Sequence, residues 1–303
     1  MSRITETRNP ASKDLDQRST QQILELINVE DQLVAPAVRE IIPSLARAVD
    51  ETVARMKKGG RVFYLGAGTS GRLGILDASE IPPTFGVSPN LFQGIIAGGY
   101  EACYSATEAS EDDAAQGARD LETRGCRAGD IVVGIAASGT TAYTRGALEW
   151  AKTKGTLTVA LSCNPDSPLP ALADHAITVV VGPEIIAGST RMKAGTAQKL
   201  VLNMFSTATM VKLGHVYSHW MINVQMKNQK LKARGLRILM EITGASEPDC
   251  RTTLEDAGTD LKLALVMLLG RMEAEPARHA LIASGGNLRW TLQELGLNKD
   301  RND

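Results

Sequence analysis

The sequence predicts an α/β protein built on a parallel sheet with helices on both faces. Three observations carry this expectation. Five apolar runs, at 61–65, 91–97, 130–137, 157–162 and 176–181, are continuous rather than alternating, as strands covered on both faces require. The intervening segments 69–80, 101–124 and 141–154 are long enough for crossover helices. The first run also opens directly into a glycine-rich turn, Gly66-Ala67-Gly68-Thr69-Ser70-Gly71.

Taken in order, residues 1–17 are polar and charged and lack the apolar core of a signal peptide. Ser19-Thr20-Gln21-Gln22 has the spacing of a capping box, in which Ser19 and Gln22 each satisfy a free N–H of a helix start. Residues 35–58 form a long amphipathic stretch. After the fifth strand, Gly188-Ser189-Thr190 opens a helical run to about Leu213. From about 235 the pattern changes to short amphipathic helices at 236–243, 250–256 and 261–269, broken by Gly244, Pro248 and Gly258. The organisation expected is an N-terminal helical segment (1–50), a sheet domain (51–230) and a small C-terminal helical, UBA-like module (231–303) serving packing or dimerisation.

Composition removes several classes of function. The 303 residues carry 33 Lys+Arg against 34 Asp+Glu, a net charge of −1, so no general field attracts nucleic acid or a membrane surface. Aromatic residues are 4%, too few for base stacking as a binding mode. No run of about 18 apolar residues could cross a bilayer. Cys103, Cys126, Cys163 and Cys250 are scattered and read as reduced thiols, which predicts a cytoplasmic protein.

The chemistry-bearing residues cluster in turns. In an open parallel sheet, ligands sit outside the carboxyl ends of the strands. Gly68-Thr69-Ser70 after the first strand, Ser138-Gly139-Thr140 after the third and Ser189-Thr190-Arg191 after the fifth each offer hydroxyls and free N–H groups. Together they could surround a dianionic phosphate, with Arg191 or Lys193 supplying charge. Helix capping is the commoner use of Ser and Thr, but three such turns on one edge favour the phosphate. Gly66, Gly68 and Gly71 also satisfy a dinucleotide fingerprint. Two features count against that reading: the turn carries hydroxyls, and no acidic residue ends the second strand. Without a Walker lysine or a metal-like carboxylate cluster, a phosphosugar is the better ligand.

The block from Gly66 to Gly86, GAGTSGRLGILDASEIPPTFG, resembles N-acetylmuramic acid 6-phosphate etherases, which have the sugar isomerase (SIS) fold. The resemblance continues through Ile96-Ala97-Gly98-Gly99, Glu108, Glu111-Asp112 and Gly134-Ile135-Ala136-Ala137-Ser138-Gly139. It ends in Gly188-Ser189 and the run Arg191 to Met204, RMKAGTAQKLVLNM. It implies a three-layer parallel-sheet SIS domain with N-terminal helices and a small C-terminal helical module. It also implies cleavage of a D-lactyl ether in cell-wall sugar recycling, no metal or organic cofactor, and a homodimer. Catalytic glutamates match Glu80 and Glu111, with Glu80 as acid towards the ether oxygen and Glu111 as base at C2, or the reverse. One departure stands out: where Arg-Thr-Pro is expected after Gly139, this chain has Thr140-Thr141-Ala142.

Geometry adds a further expectation. On a regular helix Glu80 would lie about 15 Å along the axis from Ser70, too far for one sugar phosphate to meet both. This predicts an active site shared between two subunits. Two other readings compete: a non-catalytic phosphosugar sensor, since the resemblance also reaches the glucokinase regulatory protein, and an aldose–ketose isomerase. His215 and His219 share a helix-like metal spacing but read as packing residues, and Asn228 and Lys230 read as a solvated helix face.

Overall fold

A computed structural model describes residues 4–105, 108–224, 226 and 229–297, with backbone alone at 108–109. The N-terminal helices are α1 (Thr20–Asp31), α2 (Val34–Glu40) and α3 (Ile42–Met56). The Ser19–Gln22 capping box starts α1 as expected. The stretch 35–58 is two helices rather than one: Pro43 in the first turn of α3 supplies no N–H to continue a helix from α2.

Strands β1 (Val62–Gly66), β2 (Phe92–Ile96), β3 (Ile131–Ile135), β4 (Leu157–Ser162) and β5 (His175–Thr178) form one parallel sheet in the order β2-β1-β3-β4-β5. Every residue of β1, β3 and β4 is buried, which is why these runs are continuously apolar. The fifth strand ends at Thr178, earlier than expected. Its neighbour β4 stops at Ser162, whose carbonyl accepts the Val179 N–H, and no strand backbone remains beyond it to pair with.

The chain steps from β1 outwards to β2, returns past β1 to β3, and continues the other way. The reversal lies between β1 and β3, where Gly66 stands opposite Ile135. Such a switch point leaves a crevice at the carboxyl ends of the two strands. Helices α4 (Gly68–Phe85) and α7 (Lys193–Lys212) share the face to which Tyr64 points: Tyr64 and Phe205 rings are 6.3 Å apart. Helices α5 (Ala114–Thr123) and α6 (Ala142–Thr153) cover the other face, around Phe63, Leu65, Val132, Leu121 and Leu148. The segment 101–124 is mostly not helix: 3₁₀ turns at Tyr100–Cys103 and Glu108–Glu111 precede α5. Helix α4 runs on through Pro82 and Pro83, five residues beyond the expected end at 80. The two prolines leave the carbonyls of Ala78 and Ser79 without helical N–H partners.

Contacts divide the chain into two compact units, one of Met1–Glu80 with Pro89–Thr209, the other of Ile81–Ser88 with Met210–Asp303. The second holds a hairpin, β6 (Val216–Tyr217) and β7 (Trp220–Met221), and helices α8 (Gln229–Thr243), α9 (Glu247–Asp256), α10 (Leu261–Gly270), α11 (Ala274–Ala283) and α12 (Leu288–Glu294). Its own core gathers Leu239, Leu263, Leu265, Val266, Leu288 and Leu292. Helices α11 and α12 were not foreseen. Among the described residues, no helix is long and apolar enough to cross a membrane.

Candidate active site

The first turn is built for close approach. Gly68 has φ +52°, a left-handed conformation that side chains resist. A Cβ on Gly71 would meet Gly66 O and Ile96 Cγ1 at 2.6 Å each, so only glycine lets α4 leave the strand so tightly. Ser70 is buried and its hydroxyl donates to Gln198 Oε1 at 3.0 Å, tying the turn to α7. Thr69 is half-buried beside Gly195 of the same helix. Glu111 comes to this turn as well: a Cβ on Gly68 would stand 3.4 Å from Glu111 Oε1. The segment that precedes Glu111 in sequence is held by Arg72, whose guanidinium donates to Cys103 O and Ser105 O at 3.0 Å each.

The second turn lies next to the first, because β1 and β3 are neighbours. Thr140 donates twice to Ser138 Oγ, from its N–H at 3.2 Å and its hydroxyl at 3.0 Å, while Gly139 is buried beneath Ser167. Thr140 therefore closes the turn on itself where the family pattern would place an arginine. Buried Asn164 donates to Ala137 O (3.1 Å), Ser138 O (3.2 Å) and Thr5 Oγ1 (2.9 Å). Thr5 O in turn accepts the Gly188 N–H at 3.1 Å, so the N-terminal segment links the second turn to the third.

The third turn differs from expectation. Helix α7 starts at Lys193, not at 188–190. Its leading N–H groups, from Lys193 and Ala194, donate to the Glu184 carboxylate at 3.0 and 2.9 Å. Burial pushes the Glu184 carboxyl up from its ordinary range, while those two N–H groups draw it back. The chain has thus filled this helix start with its own anion. Lys193 is 1% exposed and its ammonium pairs with Glu30 at 2.5 Å. In this geometry the charge that was expected to serve the phosphate is engaged by Glu30. Ser189 is half-buried and Arg191 exposed.

Glu80 stands alone. It is exposed on α4, ten residues beyond Ser70, about 15 Å along a regular helix. It faces a cleft of about 210 Å³ between α4 and α7, shared with Lys199 and Asn203. Glu80 therefore lies well along α4 from the turn that Glu111 approaches. Under the cleft, Asp77 Oδ1 accepts from Asn203 Nδ2 at 2.7 Å and Ser206 Oγ at 3.2 Å. Burial raises the Asp77 carboxyl above its ordinary range, opposed by these hydrogen bonds. A cavity of about 770 Å³ lies along β2 beside Tyr100, Asp113 and Asp120 and touches neither Ser70 nor Glu80.

Sequence reading missed Gln198, Arg72, Asn164, Glu184 and Glu30. Gln198 and Arg72 were within reach, since each lies inside a distinctive block; the others act through contacts remote in sequence. His215 and His219 lie around a hairpin, not on a helix: His215 Nδ1 is 2.6 Å from Asn223 Nδ2, and His219 sits against Trp220. Lys230 is exposed on α8, and Asn228 lies outside the described residues.

Comparison with known proteins agrees with this architecture. Residues 44–152 match the glucokinase regulatory protein N-terminal SIS domain and residues 114–208 match the SIS domain. A solved Bacteroides fragilis protein, described as a phosphosugar isomerase candidate involved in capsule formation, superposes with a TM-score of 0.50 at 19% identity, covering 65% of this chain and 94% of that one. At that identity it speaks for the fold alone. N-acetylmuramic acid 6-phosphate etherase 2 of Vibrio cholerae is 50% identical over 291 residues, 96% of this chain and 95% of that one. The etherase of Symbiobacterium thermophilum is 55% identical over 266 residues, 88% of each chain. With such identity over nearly the full length, the chain belongs to the N-acetylmuramic acid 6-phosphate etherase family.

Proposed function

We propose that this protein cleaves the D-lactyl ether of N-acetylmuramic acid 6-phosphate, giving N-acetylglucosamine 6-phosphate and D-lactate in the recycling of cell-wall sugar. The observation that carries the reading is the approach of Glu111 to the Gly68-Thr69-Ser70 turn, within a chain of etherase sequence. An alkoxide is a poor leaving group, so direct displacement at an ether is slow. Ring opening changes the problem, because the C1 aldehyde acidifies the C2 proton. One carboxylate removes that proton while a carboxylic acid protonates the lactyl oxygen. The C3–O bond breaks, leaving an unsaturated aldehyde and D-lactate, and water then adds back a hydroxyl at C3 and a proton at C2. Two carboxyl groups in different protonation states serve this chemistry. Glu80 and Glu111 are the candidates, with Ser70, Ser138 and Arg191 at the phosphate end.

The distance between Ser70 and Glu80 favours a homodimer in which Glu80 of one subunit serves the phosphosugar held by the other. The test is D-lactate release from N-acetylmuramic acid 6-phosphate by the wild-type protein and by Glu80→Gln and Glu111→Gln, each substitution expected to cost about 10²- to 10⁴-fold. Mixed dimers of Glu80→Gln with Ser70→Ala subunits should regain activity, since one of the two sites is then intact. Failure in verified heterodimers would rule out sharing, and absence of lactate from wild type would overturn the etherase reading.

A further inference from the structure

The cleft beside Glu80 has a composition that the two-carboxylate mechanism leaves unused. Its wall is apolar at Leu73, Leu76 and Leu202, and its polar groups are Asp77, Glu80, Lys199 and Asn203. Lys199 and Asn203 are four apart on α7, so both side chains point along the same face. The amide of Asn203 is not free to turn, because Nδ2 donates to buried Asp77 at 2.7 Å and Ser206 holds the same carboxylate oxygen. Lys199 is exposed, and no carboxylate of the described residues lies within ion-pair distance of it. Its charge instead reaches Asp77 at longer range.

We infer that this cleft is the subsite for the lactyl group, with Lys199 and Asn203 receiving its carboxylate. The inference rests on the etherase reading. The substrate carries two anionic ends, the phosphate on C6 and the carboxylate on the C3 substituent, and each needs its own cation. At the phosphate end, Lys193 is committed to Glu30 and Arg191 lies beside the third turn. Lys199 is the cation placed next to the candidate acid. With its carboxylate on Lys199 and the fixed Asn203 amide, the lactyl group would lay its methyl on the leucine wall and turn its ether oxygen towards Glu80. The cleft of about 210 Å³ has room for a three-carbon acid. Glu80 and Lys199 belong to the same protomer, so in the shared site the lactyl end would lie on one subunit and the phosphate on its partner.

The test compares ligands with and without the carboxylate. Binding of N-acetylmuramic acid 6-phosphate, its lactyl carboxamide and N-acetylglucosamine 6-phosphate is measured by calorimetry in Glu111→Gln protein, with Lys199 intact, as Lys199→Met and as Lys199→Arg. Loss of a charge-assisted contact predicts about a 10- to 100-fold weaker binding of the acid by Lys199→Met. The same change should leave N-acetylglucosamine 6-phosphate within about twofold, and Lys199→Arg should recover most of the loss. The carboxamide should bind Lys199→Met and the intact protein alike. Equal weakening of both sugar phosphates, or a carboxamide penalty undiminished in Lys199→Met, would overturn the inference. So would a kcat loss in Lys199→Met at unchanged KM with a displaced pH profile, since Lys199 would then act only on Glu80. Lactate release by wild type is scored separately, so the etherase reading and the subsite stand or fall on different data.

Discussion

Glu111 reaches the turn at Gly68: a methyl group on that glycine would stand 3.4 Å from Glu111 Oε1. The approach brings the last residue of the 3₁₀ turn Glu108–Glu111 to the start of the helix that leaves β1. Gly68→Ala should therefore act in two ways. The left-handed backbone at φ +52° makes any side chain cost about 1–2 kcal/mol, a drop of a few degrees in Tm. Relief of that strain would reshape the turn against Glu111, so lactate release should fall further than stability alone explains. Thermal melts and kcat on the same preparation separate the two, and unchanged activity would show that the turn tolerates a side chain.

Arg72 is expected to position Glu111 without touching substrate. Its two hydrogen bonds, to Cys103 O and Ser105 O, anchor the segment that precedes Glu111 from the side of α4. Removing them in Arg72→Ala should lower kcat about 10- to 100-fold, the usual consequence of a catalytic group displaced by an ångström. Affinity for inorganic phosphate should change by less than about twofold. Faster amide exchange at 100–105 would accompany the loss, and a purely structural role would instead lower both parameters together.

How far the sequence discloses this site follows from the range of the forces involved. Strands β1, β3 and β4 were legible because burial on both faces forces continuous apolar runs, a local signal. Alternation of strands and helices predicted a parallel sheet but not its strand order, so the switch point at Gly66 and Ile135 was not legible. What escaped was set by partners far away. The start of α7 is decided by Glu184, nine residues upstream, and Lys193 is claimed by Glu30 from a helix 163 positions earlier. Neither pairing leaves a mark in local composition. The end of β5 likewise depends on where its neighbour stops. For His215 and His219, a four-residue spacing suits a helix and a tight hairpin equally, and Ser218 with φ +52° decides for the hairpin.

The Glu30–Lys193 pair offers a test of which role Lys193 plays. Both side chains are largely withdrawn from water, at 12% and 2% exposed. Glu30→Leu would leave the ammonium buried without a counter-charge and should cost about 3–5 kcal/mol. The double variant Glu30→Leu with Lys193→Met should regain most of that, because an apolar pair of similar volume is tolerated where one lone charge is not. Denaturant melts measure this. If the double variant regains stability and still binds N-acetylglucosamine 6-phosphate normally, Lys193 belongs to the scaffold. A selective loss of sugar phosphate binding would return it to the site.

His215 gives the second unit a pH dependence with a definite sign. Burial holds its imidazole down at about 4, helped by the charge of Lys262 and opposed by a hydrogen bond to the Phe85 backbone. The folded form therefore keeps His215 neutral where the unfolded chain, near 6.5, already takes up a proton. The neutral ring suits the structure, since Nδ1 can accept the Asn223 amide 2.6 Å away. Stability from this group is complete above about pH 6.5 and is lost progressively as pH falls through about 4. His215→Gln keeps one acceptor and one donor without titrating, so the difference between wild type and variant should shrink over that interval. Denaturant melts across it, followed by fluorescence of Trp220 and Trp290, provide the check. A difference that stays constant from neutral pH to about 4 would mean that His215 changes protonation no differently in the folded and unfolded chain.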